Sequence, residues 1–361
     1  MADIVVDARV LRQFVSTVLQ AVAVPAEDAD TVADVIVAAD LRGHESHGVA
    51  RLDGFYLSRI QSGQIDPRAR TVVLRETAAT AVMDAGHGLG QPAGKRAMEL
   101  CIAKAAQAGT GVVTVRRSNH FGIAGYYAML ALPHDMIGVS CTNSLALVVP
   151  TGGRSPILGT NPIAFAAPAG RHPAFVLDMA TSVVPLGKVE AKARRGEPLP
   201  DGWAVDGEGQ SARDAQAVID ATDEGQAGGL LPLGGVEAGH KGYGLAAMVD
   251  ILCGLLAGAR AGLAVYGEGY DRGEPADVGH IFAAISLEAF GSVQEFKRSM
   301  DEYIDMLHGA PRADDAQPVL VAGEPEMEHE RVRSAHGIPL LAGVVENLRD
   351  VARRTGVQAP F

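Results

Sequence analysis

Three cysteines in 361 residues are too few and too scattered for a disulfide frame or a zinc knuckle. Cys101, Cys141 and Cys253 each stand alone in an apolar stretch and read as reduced core residues. Aromatic side chains make up only 5% of the chain, so its core must be assembled from small and branched aliphatic residues. No lysine or arginine run offsets the net charge of −12, which argues against nucleic acid and anionic membranes as partners. Only one long apolar run occurs, Gly242 to Ala259, broken by Asp250. Its Gly/Ala richness and central carboxylate predict a helix buried in protein, not a membrane span. The first residues carry acids where a secretory signal needs bases, so the expected location is cytoplasmic.

The length exceeds what one core usually accommodates, and the 43 glycines with abundant alanine suit helices packed closely on a sheet. Residues 26–42 read as a helix, with Glu27 and Asp28 in its first turn and Gly43 as its stop. A second helix is expected to start at Ser46 as N-cap, burying Val49, Leu52, Tyr56 and Ile60. After Pro67 short strands alternate with helices. Strands are expected at 80–84, 111–116, 137–142, 165–168, 175–179 and 281–285, and helices at 93–107, 123–132, 293–307 and 341–354. Gly202 to Gln226 reads as a polar surface excursion and 309–330 as loop. The expected fold class is α/β (α+β): a non-Rossmann cofactor-binding domain and a helical domain formed from both chain termini. Its parts are an N-terminal helical part at 1–75, the α/β domain at 76–295, and a C-terminal part at 296–361 packing with the N-terminal helices.

The densest chemistry lies at Ser46-His47-Gly48-Val49-Ala50-Arg51. On a helix, His47 and Arg51 share a face one turn apart, so a titratable imidazole stands beside a permanent cation. That pair suits a small anionic substrate: the guanidinium grips a carboxylate while the imidazole moves a proton. Other motifs have plainer readings. Gly86-His87-Gly88-Leu89-Gly90 lacks the G-x-G-x-x-G spacing and reads as a structural turn. His44 and His47 are three apart, where a zinc helix needs four, so no metal site is expected. His120-Phe121-Gly122 ends a strand before a helix whose free N–H groups suit a pyrophosphate. Asp178-Met179-Ala180 ends another strand, Lys188 follows Gly187, and His240-Lys241 is expected to open the buried helix as an anion contact.

In combination, Ala39-Asp40-Leu41-Arg42-Gly43, Ser46-His47-Gly48 with Arg51, Ser118-Asn119-His120-Phe121-Gly122, Gly159-Thr160-Asn161-Pro162, Asp178-Met179-Ala180-Thr181-Ser182, Gly202-Trp203-Ala204-Val205-Asp206 and His240-Lys241-Gly242-Tyr243-Gly244 closely resemble the malate/L-lactate/L-sulfolactate dehydrogenase family. The resemblance runs from about residue 40 to 325. It implies His47 as proton donor with Ser46 as relay partner, Arg51 as carboxylate anchor, and Thr160 in the same pocket. It also implies cofactor contacts from His120, Phe121, Gly122, Asp178, Met179, Ala180, His240, Lys241 and the Gly323-Glu324-Pro325 loop. The implied cofactor is NAD or NADP, the substrate a small anionic 2-oxo or 2-hydroxy acid, and the assembly a homodimer.

Departures occur at His44-Glu45 and at Gln210 to Asp214. Lys188 stands where imine-reducing relatives carry Asp, and as a catalytic residue it would steady the oxyanion or hold a second carboxylate. A cyclic imine or ureidoglycolate-type substrate is the alternative within the enzyme class. A cofactor-binding, non-catalytic regulator or scaffold is the alternative outside it.

Overall fold

The computed structural model describes residues 4–361 except 224–225, 268–269 and 315. The chain starts with strand β1 (Ile4–Val6) and helix α1 (Ala8–Ala21), neither expected from the sequence. Asp7 starts α1 by accepting the N–H groups of Arg9 and Val10 at 2.9 and 3.2 Å. Leu11, Phe14, Val15, Val18 and Leu19 fall at helical spacing on its buried face. Helix α2 (Ala26–Leu41) follows, and Gly43 (φ +83°) turns the chain away from it in a conformation that suits glycine.

The expected helix from Ser46 does not form as one unit. Two 3-10 turns, Glu45–His47 and Val49–Arg51, are separated by an extended Gly48 (ψ −154°), and a π-turn (Leu52–Leu57) then runs into α3 (Ser58–Gln61). Ser46 is therefore not an N-cap, and its hydroxyl goes to His47 instead. The cause is Asp40 on α2: its carboxylate presses on Gly48 so closely that a Cβ there would lie 1.8 Å from Oδ1. Val49, Leu52 and Tyr56 are nonetheless fully buried, as the apolar stripe requires, while Ile60 is half-buried.

The central layer contains β2 (Val72–Glu76), β3 (Thr80–Asp84), β4 (Thr110–Ser118), β5 (Met136–Thr142), β6 (Ile163–Ala167) and β7 (Phe175–Met179). Helices α4 (Gly90–Ala108), α5 (Ala124–Met129) and α6 (Leu186–Arg195) punctuate this part of the chain. Ala93, Ala97 and Cys101 of α4 lie in one core with Val113, Val115 and Phe282, which is where the small side chains and free thiols are used. The turn before α4 is structural: Gly90 sits where a Cβ would be 2.2 Å from Asn119 O.

Beyond α6 the expected polar excursion is a folded lobe. Strands β8 (Ala204–Val205) and β9 (Gly229–Leu230) pair, α7 (Ala215–Asp223) packs nearby, and Leu199, Ala212 and Val218 form part of its small core. Its polar composition faces solvent. Helix α8 (Gly235–Asp250) begins seven residues earlier than expected and gives way to a π-turn, Ile251–Leu255. The apolar run is not buried on all sides: in and just after this π-turn Ile251, Leu255 and Leu256 are 54%, 66% and 59% exposed.

Strand β10 (Val278–Ser286) closes the seven-stranded mixed sheet, in the order β2-β3-β4-β10-β5-β6-β7. Only β3 and β4 pair in parallel. The C-terminal ends of β3, β4, β5 and β7 thus share one sheet end with the N-terminal ends of β6 and β10. After α9 (Val293–His308), helix α10 (Glu324–His336) occupies part of the segment expected to be loop. It has no apolar stripe to reveal it; Arg42–Glu330 (2.8 Å) and Arg333–Glu45 (2.6 Å) hold it near α2. Strand β11 (Ile338–Leu340) then pairs antiparallel with β1, and α11 (Ala342–Thr355) adds Val345, Leu348 and Val351 to the core of α1 and α2. Among the described residues no helix is long and apolar enough to cross a membrane.

Candidate active site

The strand polarity gathers the sequence motifs at one end of the sheet. Ser118 pairs with Val278, His280 with Thr142, Cys141 with Ile163, and Ile163 with Met179. Buried His280 fastens this row, its ring nitrogens 2.7 Å from both Thr142 Oγ1 and Ser118 Oγ. Burial pushes its pKa down to about 3, so it serves as a neutral strut. The loops carrying His120 and Thr160 lie at this end, as does Asp178 near the C-terminal end of β7.

His47 reaches the site from the helical layer. Its Nδ1 lies 2.9 Å from Ser46 Oγ, and its ring stacks on His120 at a centroid distance of 5.5 Å. Burial, then the Arg51 cation and His44, press the His47 pKa down to about 4. Arg51 is fixed by Nε, which donates to Ser46 O at 2.6 Å, and its guanidinium lies 4.7 Å from the Phe55 ring centroid. No carboxylate among the described residues pairs with it. The interruption of helical structure at Gly48 means that a hydrogen bond, not shared helical register, keeps Arg51 beside the His47 turn.

His120 is placed more deeply than its reading as a cofactor contact suggests. Its Nδ1 accepts from Gly122 N–H (3.4 Å) and lies 2.7 Å from Tyr56 Oη. With the backbone donating, Tyr56 donates as well, and the proton of the neutral ring resides on Nε2. Burial first, then neighbouring His47 and the arginines, hold His120 well below the usual histidine range, and burial pushes Tyr56 up. Phe121 points its ring into the core, stacked 4.6 Å from His280, so only its main chain is left for a ligand. Gly122 packs on Val35.

On the adjoining loop, Thr160 is half-buried; its N–H donates to Ser144 Oγ at 3.1 Å, and its hydroxyl lies 3.3 Å from the same oxygen. Asp178 accepts Gly125 N–H at 2.7 Å, and burial raises its pKa despite nearby His44 and Arg42. Met179 and Ala180 beside it are half-buried. The Gly323-Glu324-Pro325 turn lies against the outer strand, where Val176 N–H donates to Ala322 O at 3.0 Å. Glu324 itself is engaged by Val321 N–H and by His308, each at 2.8 Å.

Lys188 is exposed on the first turn of α6, whose Gly187 abuts Ser46 with a would-be Cβ contact of 3.2 Å. His240 and Lys241 are exposed too, but they do not open their helix. They lie in its second turn, because the Gly234-Gly235 turn starts α8 earlier. Among the described residues no carboxylate pairs with Lys188 or Lys241, and no cluster of three His, Cys, Asp or Glu stands ready for a metal.

Three contributors have no role in the site by the motif reading. Tyr56, assigned to the apolar stripe, carries the hydroxyl that fixes His120. Asp40 shapes the His47 turn. Arg59 lies 4.4 Å from the Phe55 centroid, and its Nη1 is buried with no hydrogen-bond partner among the described residues. Only the helical spacing of Arg51, Phe55 and Arg59 hints at the last.

The sequence profile of the malate/L-lactate dehydrogenase family matches residues 6–349. The chain is 45% identical to malate dehydrogenase of Pyrococcus abyssi over 96% of its length and 94% of that protein's. It is 38% identical to L-sulfolactate dehydrogenase of Methanocaldococcus jannaschii, covering 96% of each chain. The crystal structure of malate dehydrogenase from Entamoeba histolytica superposes with a TM-score of 0.95 at 34% identity, covering 99% of this chain and 100% of that one. Dehydrogenases of this kind work with a nicotinamide cofactor, and a sheet end carrying a half-buried carboxylate, with exposed unpaired lysines on neighbouring helices, has the donors and acceptors a dinucleotide needs. On sequence and on structure alike, the chain belongs to the malate/L-lactate dehydrogenase family of oxidoreductases acting on 2-hydroxy acids.

Proposed function

We propose that this protein interconverts a small 2-oxo acid and its 2-hydroxy acid, of the malate, lactate or sulfolactate type, with NAD or NADP. The observation that carries this reading is the His47–Arg51 arrangement, an imidazole and an unpaired guanidinium tied together through Ser46. When bound, the nicotinamide accepts or supplies the hydride at C2 of the acid.

The chain's own residues supply the rest. Arg51 receives the substrate carboxylate on its free terminal nitrogens and so orients the carbonyl carbon. His47 gives its proton to the carbonyl oxygen during reduction and takes it back during oxidation. His47 is neutral in the empty site, chiefly through burial, and an anion on Arg51 removes the second cause of its low pKa, which favours proton uptake on substrate binding. Ser46 orients the ring through Nδ1. Lys188, from the first turn of α6, and Thr160, from the loop before β6, border the acid, and Asp178, Lys241 and the 323–325 turn contact the cofactor.

We further assign the exposed apolar residues of α8 and of the π-turn after it, Val236, Tyr243, Ile251 and Leu255, to a homodimer interface. Free buried thiols suit a cytoplasmic setting.

The decisive experiment follows absorbance at 340 nm with each cofactor against oxaloacetate, pyruvate, sulfopyruvate, ureidoglycolate and piperideine-2-carboxylate. Oxidation of the reduced cofactor by a 2-oxo acid is the expected result. Turnover of the imine alone, or cofactor binding with no turnover of any acid, overturns the proposal. Sedimentation velocity tests the dimer: the intact protein is expected as a dimer and Leu255→Asp as a monomer.

A further inference from the structure

We propose that Asp40 is the positioning residue of this site, the group that sets His47 and Arg51 in their mutual arrangement by gripping the two residues between their turns. Asp40 is buried, at 1% exposure, on the last turn of α2. Its Oδ2 accepts Val49 N–H at 2.9 Å, and its Oδ1 rests on Gly48. Gly48 ends the turn that carries His47, and Val49 begins the turn that carries Arg51. One carboxyl therefore touches both sides of the junction, while Arg51 closes the loop by bonding back to Ser46 O. An uninterrupted helix through residues 46–51 would leave no space for that carboxyl against Gly48.

The charged groups facing Asp40 are few. Glu45, on the His47 turn, raises its pKa; Arg333, on α10, lowers it and also donates to Asp40 O at 2.5 Å and to Glu45 at 2.6 Å. Burial outweighs both and brings Asp40 to about 7. An ionised carboxylate accepts an N–H more strongly than a carboxylic acid does, so the grip on the turn tightens through the neutral range.

This inference rests on the proposed roles of His47 and Arg51, and its test keeps the two separable. Asp40→Asn preserves an oxygen acceptor of the same shape without charge; Asp40→Ala removes it. Cofactor binding and thermal melts report folding, initial rates against pH report kcat and KM, and NMR titration of the His47 ring reports its setting without turnover. Asp40→Ala is expected to lower kcat/KM by about 10–100-fold per folded molecule and to shift the His47 titration. Asp40→Asn is expected to recover most of that loss and to abolish the rate dependence centred near pH 7. An Asp40→Ala protein that melts earlier yet keeps the parent kcat/KM, pH profile and His47 titration overturns the proposal. If the alanine variant does not fold, a limb near pH 7 that persists in Asp40→Asn overturns it equally. Should the intact protein turn over no acid, the proposed function fails and the His47 titration alone decides the role of Asp40.

Discussion

The imidazoles of His47 and His120 lie with centroids 5.5 Å apart and planes 23° from parallel. Two cationic rings in that position would repel each other in a poorly hydrated site, so at most one carries charge. Tyr56 and Gly122 settle which: both donate to Nδ1 of His120 and hold it neutral. His47, bonded only to the adaptable Ser46 hydroxyl, is left to titrate. In the proposed reaction this leaves proton transfer to one ring of a stacked pair.

His47→Ala should lower turnover by about 10²–10⁴ while cofactor affinity stays near that of the parent protein. Arg51→Lys should raise KM strongly, since a point charge cannot present two parallel N–H donors and would not keep the bond to Ser46 O. Steady-state kinetics and fluorescence titration of the reduced cofactor check both. Parent-like kinetics in the two variants would remove the site.

The His47 pKa of about 4 sets opposite pH trends for the two directions. Oxidation of the hydroxy acid needs the neutral ring, so its kcat/KM should fall below about pH 4 and, above pH 5, change only through the Asp40 limb near pH 7. Reduction of the oxo acid needs the protonated ring, so its kcat/KM should decline about tenfold per pH unit from 5 to 8. Parallel profiles in both directions would show that another group governs the reaction.

Arg59 shares the Phe55 ring with Arg51 and has a buried terminal nitrogen without a partner among the described residues. A substrate with a second anionic group would satisfy it, through a charged hydrogen bond contributing about 1.5–3 kcal/mol. Arg59→Met is therefore expected to raise KM for oxaloacetate by about tenfold or more and to change that for pyruvate much less. Equal losses for the two acids would instead identify Arg59 as a scaffold for Tyr266 and Tyr270, whose ring centroids lie 5.8 and 5.4 Å from its guanidinium.

Asp40 also leaves a signature in stability. Its folded-state pKa stands above the ordinary 3.8, so the folded protein holds a proton that the unfolded chain releases. Its contribution is then full below pH 3.8 and is lost as pH rises toward 7. Asp40→Asn, which cannot ionise, should gain stability relative to the parent across that window, reaching about 4 kcal/mol as an upper limit. Paired denaturant titrations at pH 5 and 8 measure this, and an unchanged difference between the two pH values counts against it. Gly48→Ala should cost about 1–3 kcal/mol at any pH, because the methyl group displaces that carboxyl.

Much of the architecture could be read from residue order. The strands at 80–84 and 175–179 have their expected limits, and the helices at 26–41 and 293–308 lie within a residue of them, because apolar periodicity and local stop signals act over a few residues. Helix α10 was not legible: its ion-pair partners, Arg42 just after α2 and Glu45, are nearly 300 positions away in sequence, and charged residues in an uncapped stretch look like loop. The folded lobe at 199–230 was hidden for a related reason, since its core is a few small side chains completed by Leu147 and Val148 from elsewhere. The exposed side of α8 shows a further limit: composition reports that a helix is apolar but not which of its faces meets protein.

By itself the sequence determined the chemical inventory, an imidazole, a guanidinium and a hydroxyl within six residues, because those identities are covalent and survive any fold. It also determined the alternation of strands and helices, through side-chain periodicity. Tertiary structure alone decided how the inventory works. A carboxylate from the preceding helix breaks the register that linear spacing implies, and a tyrosine hydroxyl from the apolar stripe fixes the second histidine. Strand polarity brings the loops at positions 120 and 160 and the end of β7 at position 178 to the same end of the sheet. These relations depend on distances through space between residues far apart in the chain, which no local pattern records.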